Sequence, residues 1–150
     1  CMQEVGCHWT MGEPVDMVLF GMDSSALGSL TDALRAVQKR LRPGGHLVLA
    51  TAWGRAGHPL VEGVLSEAET REAVRAAGLR IIAEEQSPAE WVRAENQRIT
   101  AKIRHRAREL SRRLPDKQSW FDDYLRAQED ESRQLEEDLV CPTLLLHKPS

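Results

Sequence analysis

Aromatic side chains are scarce, at 5% of 150 residues, and four of them (Trp91, Trp120, Phe121 and Tyr124) crowd into one late stretch. No apolar run approaches the roughly 20 residues that span a bilayer. The opening Cys1-Met2-Gln3-Glu4-Val5 is neither a basic nor an apolar signal segment. The expectation is a cytoplasmic protein with no membrane partner. Three cysteines, Cys1, Cys7 and Cys141, give no even disulfide framework. Cys7-His8 has no second Cys/His pair at a usable spacing, so no metal is expected, because structural sites usually take four such ligands. Excess positive charge is also missing. The formal net charge of -3 provides no global field to draw the chain to nucleic acid.

What remains is 41% hydrophobic and 29% charged, the balance of one soluble domain large enough to bury a core. Asp16-Met17-Val18-Leu19-Phe20, between Pro14 and Gly21, reads as a buried strand. Ser29 or Thr31 can then cap a helix whose inner face is Leu30, Leu34, Val37 and Leu41. Pro43-Gly44-Gly45 is the expected terminator of that helix. His46 to Thr51 is a second buried-strand pattern. Ser66-Glu67-Ala68-Glu69 is a capping box opening another helix, with Gly78 at its C′ position. Leu79 to Glu84 is a third strand.

Strands alternating with single amphipathic helices form parallel βαβ units, covered on both faces. The pattern alone therefore implies an open α/β sheet with ligands at the carboxyl ends of its strands.

Two longer stretches go further. Val15-Asp16-Met17-Val18-Leu19, then Ala33 to Leu49 with its Leu41-Arg42-Pro43-Gly44-Gly45 stop, resemble the class I S-adenosylmethionine-dependent methyltransferases. Leu65 to Leu79 is similar to the family's next helix, and Cys141 to Pro149 to its last strand, which lies antiparallel beside the fifth. The resemblance implies a partial Rossmann-like methyltransferase sheet, formed by the C-terminal strands with the last one antiparallel. Residues 1–86 and 139–150 would form this core. Residues 87–138 would be an inserted helical hairpin, serving as a lid or a dimerisation element.

One departure matters. The family's first strand leads into an acidic-Gly-x-Gly-x-Gly loop that approaches the cofactor, yet glycines here never fall as Gly-x-Gly. An isolated half-sheet would expose an unpaired strand edge, which natural proteins cover. The expected partner is therefore a missing N-terminal half or a covering chain, a homodimer being one form of it.

The resemblance also implies site residues. Phe20, Gly21 and Met22 would contact S-adenosylmethionine at the sheet's carboxyl edge, with Gly21 admitting close backbone approach. Asp23 would orient or deprotonate the substrate beside Ser24, although a polar capping loop accounts for both equally well. Trp9 falls where the family's third strand meets the adenine, and it reads as a stacking indole or as core. Trp53 and His58 follow the second strand, where substrate is met. An imidazole with an ordinary pKa of about 6.5 can serve there as a base.

In residues 87–138, Val92, Ile99, Ile103, Leu110 and Leu114 recur at sevens and fours as a narrow helical seam. The remaining surface of that helix is basic, from Arg93 to Arg113, and the helix after Leu114-Pro115-Asp116 is acidic. Two such helices fold back on one another, and Trp91, Trp120 and Tyr124 would line a substrate pocket. The activity implied is methyl transfer to a small molecule. A non-catalytic pseudo-methyltransferase or dimerisation module is the other reading.

Overall fold

A computed structural model describes residues 13–21, 28–58 and 61–150. The elements in order are β1 (Val15–Gly21), α1 (Leu30–Arg40), β2 (Leu41–Ala50), β3 (Trp53–Gly54), α2 (Glu67–Ala76), β4 (Arg80–Gln86), α3 (Ala89–Arg113), a 3-10 turn (Pro115–Lys117), α4 (Gln118–Glu137), β5 (Leu139–Val140) and β6 (Pro142–His147). They gather into two compact units. One takes the described residues up to Thr51, with Leu65–Glu85 and Pro142–Ser150; the other takes those of Ala52–Val64, with Gln86–Cys141. The segment after β2 thus groups with the helical pair rather than with the sheet.

The first unit is a mixed sheet in the order β1-β2-β6-β4. β1 runs parallel to β2, and β6 runs antiparallel to β2. The pairing aligns Val18, Leu47 and Leu146 in one row and Phe20, Leu49 and Leu144 in another. Leu47, Leu49, Leu144 and Leu146 have no solvent exposure, and neither do Leu34 and Val37 of α1. Helices α1 and α2 cover this side of the sheet, α2 contributing the buried Thr70, Ala73 and Val74. Each fully buried leucine is worth roughly 1.5–3 kcal/mol relative to exposure.

The other face is open among the described residues. Its rows are Met17-His46-His147 and Leu19-Val48-Leu145. Met17 is 55% and Leu19 74% exposed. This corrects the expectation of buried strands covered on both faces. β1 lies at one end of the strand order, and both described helices of the unit lie on the same side. Apolar character alone does not report how many layers are present.

Helix α1 opens at Ser29, whose Oγ accepts from the Asp32 N–H at 3.2 Å and donates to the Asp32 carboxylate at 2.6 Å. The same bond holds the Asp32 carboxyl below its ordinary pKa. The capping box at Ser66 and Glu69 forms with both reciprocal bonds, and Gly78 takes a φ of 72°.

The Pro-Gly-Gly stretch acts differently from the expectation. α1 ends at Arg40, and Leu41 is already extended and paired with Val15. Residues Arg42 to Gly45 form a bulge inside β2, opposite Asp16. Gly44 has a φ of 78°. A Cβ on Gly45 would lie 2.9 Å from the Arg42 carbonyl oxygen and 3.1 Å from that of Asp16.

Lys148 closes this corner. Its carbonyl accepts from the Gly44 N–H at 3.0 Å, and its N–H donates to the Gly45 carbonyl at 2.9 Å. Its Nζ reaches the carbonyls of Gln38 at 2.9 Å and Leu41 at 2.7 Å. The Gln38 carbonyl also accepts the Leu41 N–H, so the ammonium adds a second partner at a helix end, where a cation suits the dipole.

The second unit is built on the antiparallel pair α3 and α4. Rungs between them join Asn96 to Glu136 at 3.2 Å, Thr100 to Ser132 at 3.4 Å, and Arg104 to Glu129. The line facing α4 includes Thr100, Ala107 and Ser111, all buried. The expected seam is displaced from it, with Ile99 and Leu114 each 41% exposed. Small side chains let the two helices approach closely, and their hydroxyls find partners across the gap. The bulkier aliphatics are left on a flank.

β3 pairs antiparallel with β5 at the base of this pair. There the Arg55 guanidinium donates to the carbonyls of Glu137 and Leu139, both at 2.9 Å. α4 has no basic residue in its own last turn, so the cation comes from far away in sequence.

Substituting Lys148→Met keeps the stem and removes the ammonium. It should cost about 1–3 kcal/mol, read as a lower urea midpoint at unchanged slope. Lys39→Met, on the exposed side of the same helix, should be close to neutral.

Candidate functional site

Parallel strands β1 and β2 end side by side, Phe20 opposite Leu49 and Gly21 opposite Ala50. Open α/β sheets take ligands at such carboxyl ends. Phe20 lies in the helix-covered row and is half-buried, so its ring contributes to packing. Gly21 lies in the open-face row with Ala50 and Thr143. A Cβ at Gly21 would meet nothing within 4 Å, which leaves the backbone approachable from that side. Thr51, the next residue of β2's strand end, is buried, and its N–H donates to the Pro142 carbonyl at 3.2 Å. Trp9, Met22, Asp23 and Ser24 lie outside the described residues.

The remaining candidates are all in the second unit. Trp53 is only 4% exposed and sits in the two-stranded ladder opposite Val140, so its indole packs. His58 is partly exposed. Its Nδ1 lies 3.2 Å from the Asp138 carboxylate, the residue that caps α4, and its N–H donates to the Arg55 carbonyl at 3.1 Å. Among the described residues no hydroxyl or thiol completes a relay through His58, and no three His, Cys, Asp or Glu side chains gather as metal ligands would.

Trp120 and Tyr124 stack, with ring centroids 6.1 Å apart and planes within 14°, and Phe121 meets Trp120 edge-on. Trp91 does not join them. It stands in the first turn of α3, whereas Trp120 opens α4 at the other end of the pair, roughly 35 Å away at 1.5 Å per helical residue. The three aromatics expected to line one pocket therefore occupy two ends of a rod.

Sequence reasoning missed Arg55, Asp138 and Cys141. Arg55, Ser87, Val92, Leu139 and Cys141 line a small cavity of about 60 Å³. Burial pushes the Cys141 thiol above its ordinary pKa, and the nearby Arg55 charge partly opposes the rise. A wider cleft, about 300 Å³, runs along the polar flank of the helical pair between Asn96, Arg104, Glu129 and Ser132. His46 and His147 were also missed. They face each other across β2 and β6 with centroids 5.2 Å apart, and the buried Nδ1 of His147 has no hydrogen-bond partner among the described residues. No local pattern signals such groups, because each contact joins residues about 80 to 100 positions apart.

Cys141 yields a test in a Cys1→Ser/Cys7→Ser background. Its alkylation by iodoacetamide should begin only above the pH range of a free thiol, which is centred near 8.5. Arg55→Met should push that onset higher still. An onset at or below the ordinary value would contradict the burial described.

No family model and no curated protein sequence matches the chain. Solved structures do. A cyclopropane synthase, MmaA2 of Mycobacterium tuberculosis, superposes with a TM-score of 0.69 at 16% identity, over 93% of this chain and 58% of its own. A SAM-dependent methyltransferase of Geobacter sulfurreducens, in complex with S-adenosyl-L-homocysteine, does so with a TM-score of 0.67 at 15% identity, over 89% and 58%. The cyclase SpnF follows with a TM-score of 0.68 at 19% identity, over 99% and 54%. The chain therefore spans a little over half the length of these three structures, and across that span it has the fold of the class I S-adenosylmethionine-dependent methyltransferases.

Proposed function

We infer that the chain is the C-terminal portion of a Rossmann-like methyltransferase domain that moves a methyl group from S-adenosylmethionine to a small molecule. The carrying observation is the sheet itself. A reversed strand, β6, lies between β2 and β4, and β1 ends beside β2 with an approachable glycine. In this reading β1, β2, β4 and β6 are the last strands of the domain, and α3 and α4 are a helical hairpin inserted before the final one.

The residues present fit one flank of the cofactor. Gly21 offers backbone at the strand end, and the residues next in sequence, Met22, Asp23 and Ser24, are of types suited to meeting the cofactor and orienting a nucleophile. The family's glycine-rich loop has no counterpart in this sequence. That cradle, and the strands beside β1, come from a preceding half of the domain or from a covering chain. When bound, the cofactor supplies an electrophilic methyl on its sulfonium. The protein's share is then positioning, which by itself can account for several kcal/mol of barrier. The negative net charge and the pairing of the basic α3 with the acidic α4 favour a small molecule over nucleic acid.

A second reading is a non-catalytic pseudo-methyltransferase. It is favoured by the same missing Gly-x-Gly loop, and the fold by itself does not decide, since a cyclase shares it.

Calorimetric titration of the whole gene product with S-adenosylhomocysteine separates the two. Saturable binding, weakened at least tenfold by Gly21→Val with the circular dichroism unchanged, is the expected result. No heat at millimolar ligand would reject the methyltransferase reading in favour of the non-catalytic one.

A further inference from the structure

The apolar flank of the helical pair has a definite direction. On α3, Ile99, Ile103, Leu110 and Leu114 lie to one side of the line Thr100-Ala107-Ser111 that faces α4. At 100° per residue, Trp120 and Tyr124 are rotated in the same sense from the line Phe121-Leu125-Ser132 on α4. In an antiparallel pair, equal sense means the same side. That side is apolar along α3 and at the start of α4, with Glu131 further along α4, and the opposite side holds the polar cleft with Arg104 and Glu129. On the apolar side Trp120 is 61%, Tyr124 46% and both Ile99 and Leu114 41% exposed. An apolar surface of this kind marks an interaction site.

Charge identifies its occupant. α3 carries eight lysines and arginines against Glu90, Glu95 and Glu109. α4 carries seven aspartates and glutamates against Arg126 and Arg133. The outer border of this side is basic along α3, at Lys102, Arg106 and Arg113 with Glu95 as its one acid; on α4 Asp123 lies on the border and Glu131 lies within the side itself, between Tyr124 and Trp120 in rotation. Such a face complements itself, provided α3 of one copy lies on α4 of the other.

We propose that two copies of this chain associate through the apolar faces of their helical pairs, forming a four-helix bundle. The twofold axis runs parallel to the helices. This choice sets every α3 antiparallel to an α4, its own and its partner's, as in up-down-up-down bundles. It also joins the two tips, so that Trp120 and Tyr124 of one copy pack on Leu110 and Leu114 of the other. The alternative axis, across the helices, stacks α3 on α3 and sets like charges together. A face of about 35 by 20 Å buries roughly 700 Å² on each side, close to the ~800 Å² per partner of a standard stable interface. The proposal rests on the second unit alone and is independent of any cofactor.

Sedimentation velocity of the intact protein at tens of micromolar is the test. The expected result is a dimer that Ile103→Glu and Tyr124→Glu each convert to monomer with helicity retained, and that Leu19→Asp on the open sheet face leaves intact. Arg106→Glu/Arg113→Glu should weaken association at least tenfold, and adding Asp123→Lys/Glu131→Lys should restore it. This charge reversal remains decisive if an apolar-face variant fails to fold. A wild-type monomer at 100 µM, a dimer indifferent to the apolar-face substitutions, or a charge reversal without rescue would each overturn the proposal.

Discussion

The sheet unit depends on one ammonium group. Lys148 Nζ donates to the carbonyls of Gln38, in the last turn of α1, and Leu41, which opens β2, while the Lys148 backbone bonds to both glycines of the bulge in β2. Helix end, bulge and chain terminus are thereby fixed at a single point. The register of β1 against β2 follows from it, because four residues, Arg42 to Gly45, oppose Asp16 there. Without the bulge, Leu47 and Leu49 would move to the other face of the sheet, since a one-residue slip inverts every side chain. The second unit solves the same problem in the same way. Arg55 supplies the cation that the last turn of α4 lacks, and it ties β3 to β5 while doing so.

With these ends fixed, the core is one-sided. Buried leucines of β2 and β6 meet α1 and α2, while Met17 and Leu19 stand on a face that no described helix covers. An exposed edge strand bearing large apolar residues is a place where proteins usually pair or aggregate. The chain spans a little over half the length of the cyclopropane synthase and of the Geobacter sulfurreducens methyltransferase on which it superposes. Gly21, at the end of β1, lies in a row of the same open face.

The helical pair separates polarity by direction. The α3 side of its internal seam is polar or small, at Asn96, Thr100, Ala107 and Ser111, with rungs to Ser132 and Glu136, and α4 sets Phe121 against it. Exposed ion pairs along it contribute only about 0.2–1 kcal/mol each, so they serve register more than stability. Displacing the aliphatics from the seam gives α3 a coherent apolar side. A heptad reading assigns those residues to the contact between α3 and α4, because it registers spacing but not which neighbouring helix is close.

Local sequence determined much of this protein. Ser29, Ser66 with Glu69, and Gly78 set helix boundaries through bonds within a few residues, and strand-helix alternation with the Arg42-Pro43-Gly44-Gly45 stretch carried the fold. Those signals are legible because their causes are local in the chain. Tertiary structure alone decided the rest. It turned Pro43-Gly44-Gly45 from a helix stop into a strand bulge, because Lys148 arrives from more than a hundred residues away. It left β1 exposed, buried Trp53, and parted Trp91 from Trp120 by the length of a helix. Burial depends on how many layers are present, and contact depends on which distant residues close on one another. Neither quantity is written in the spacing of a sequence.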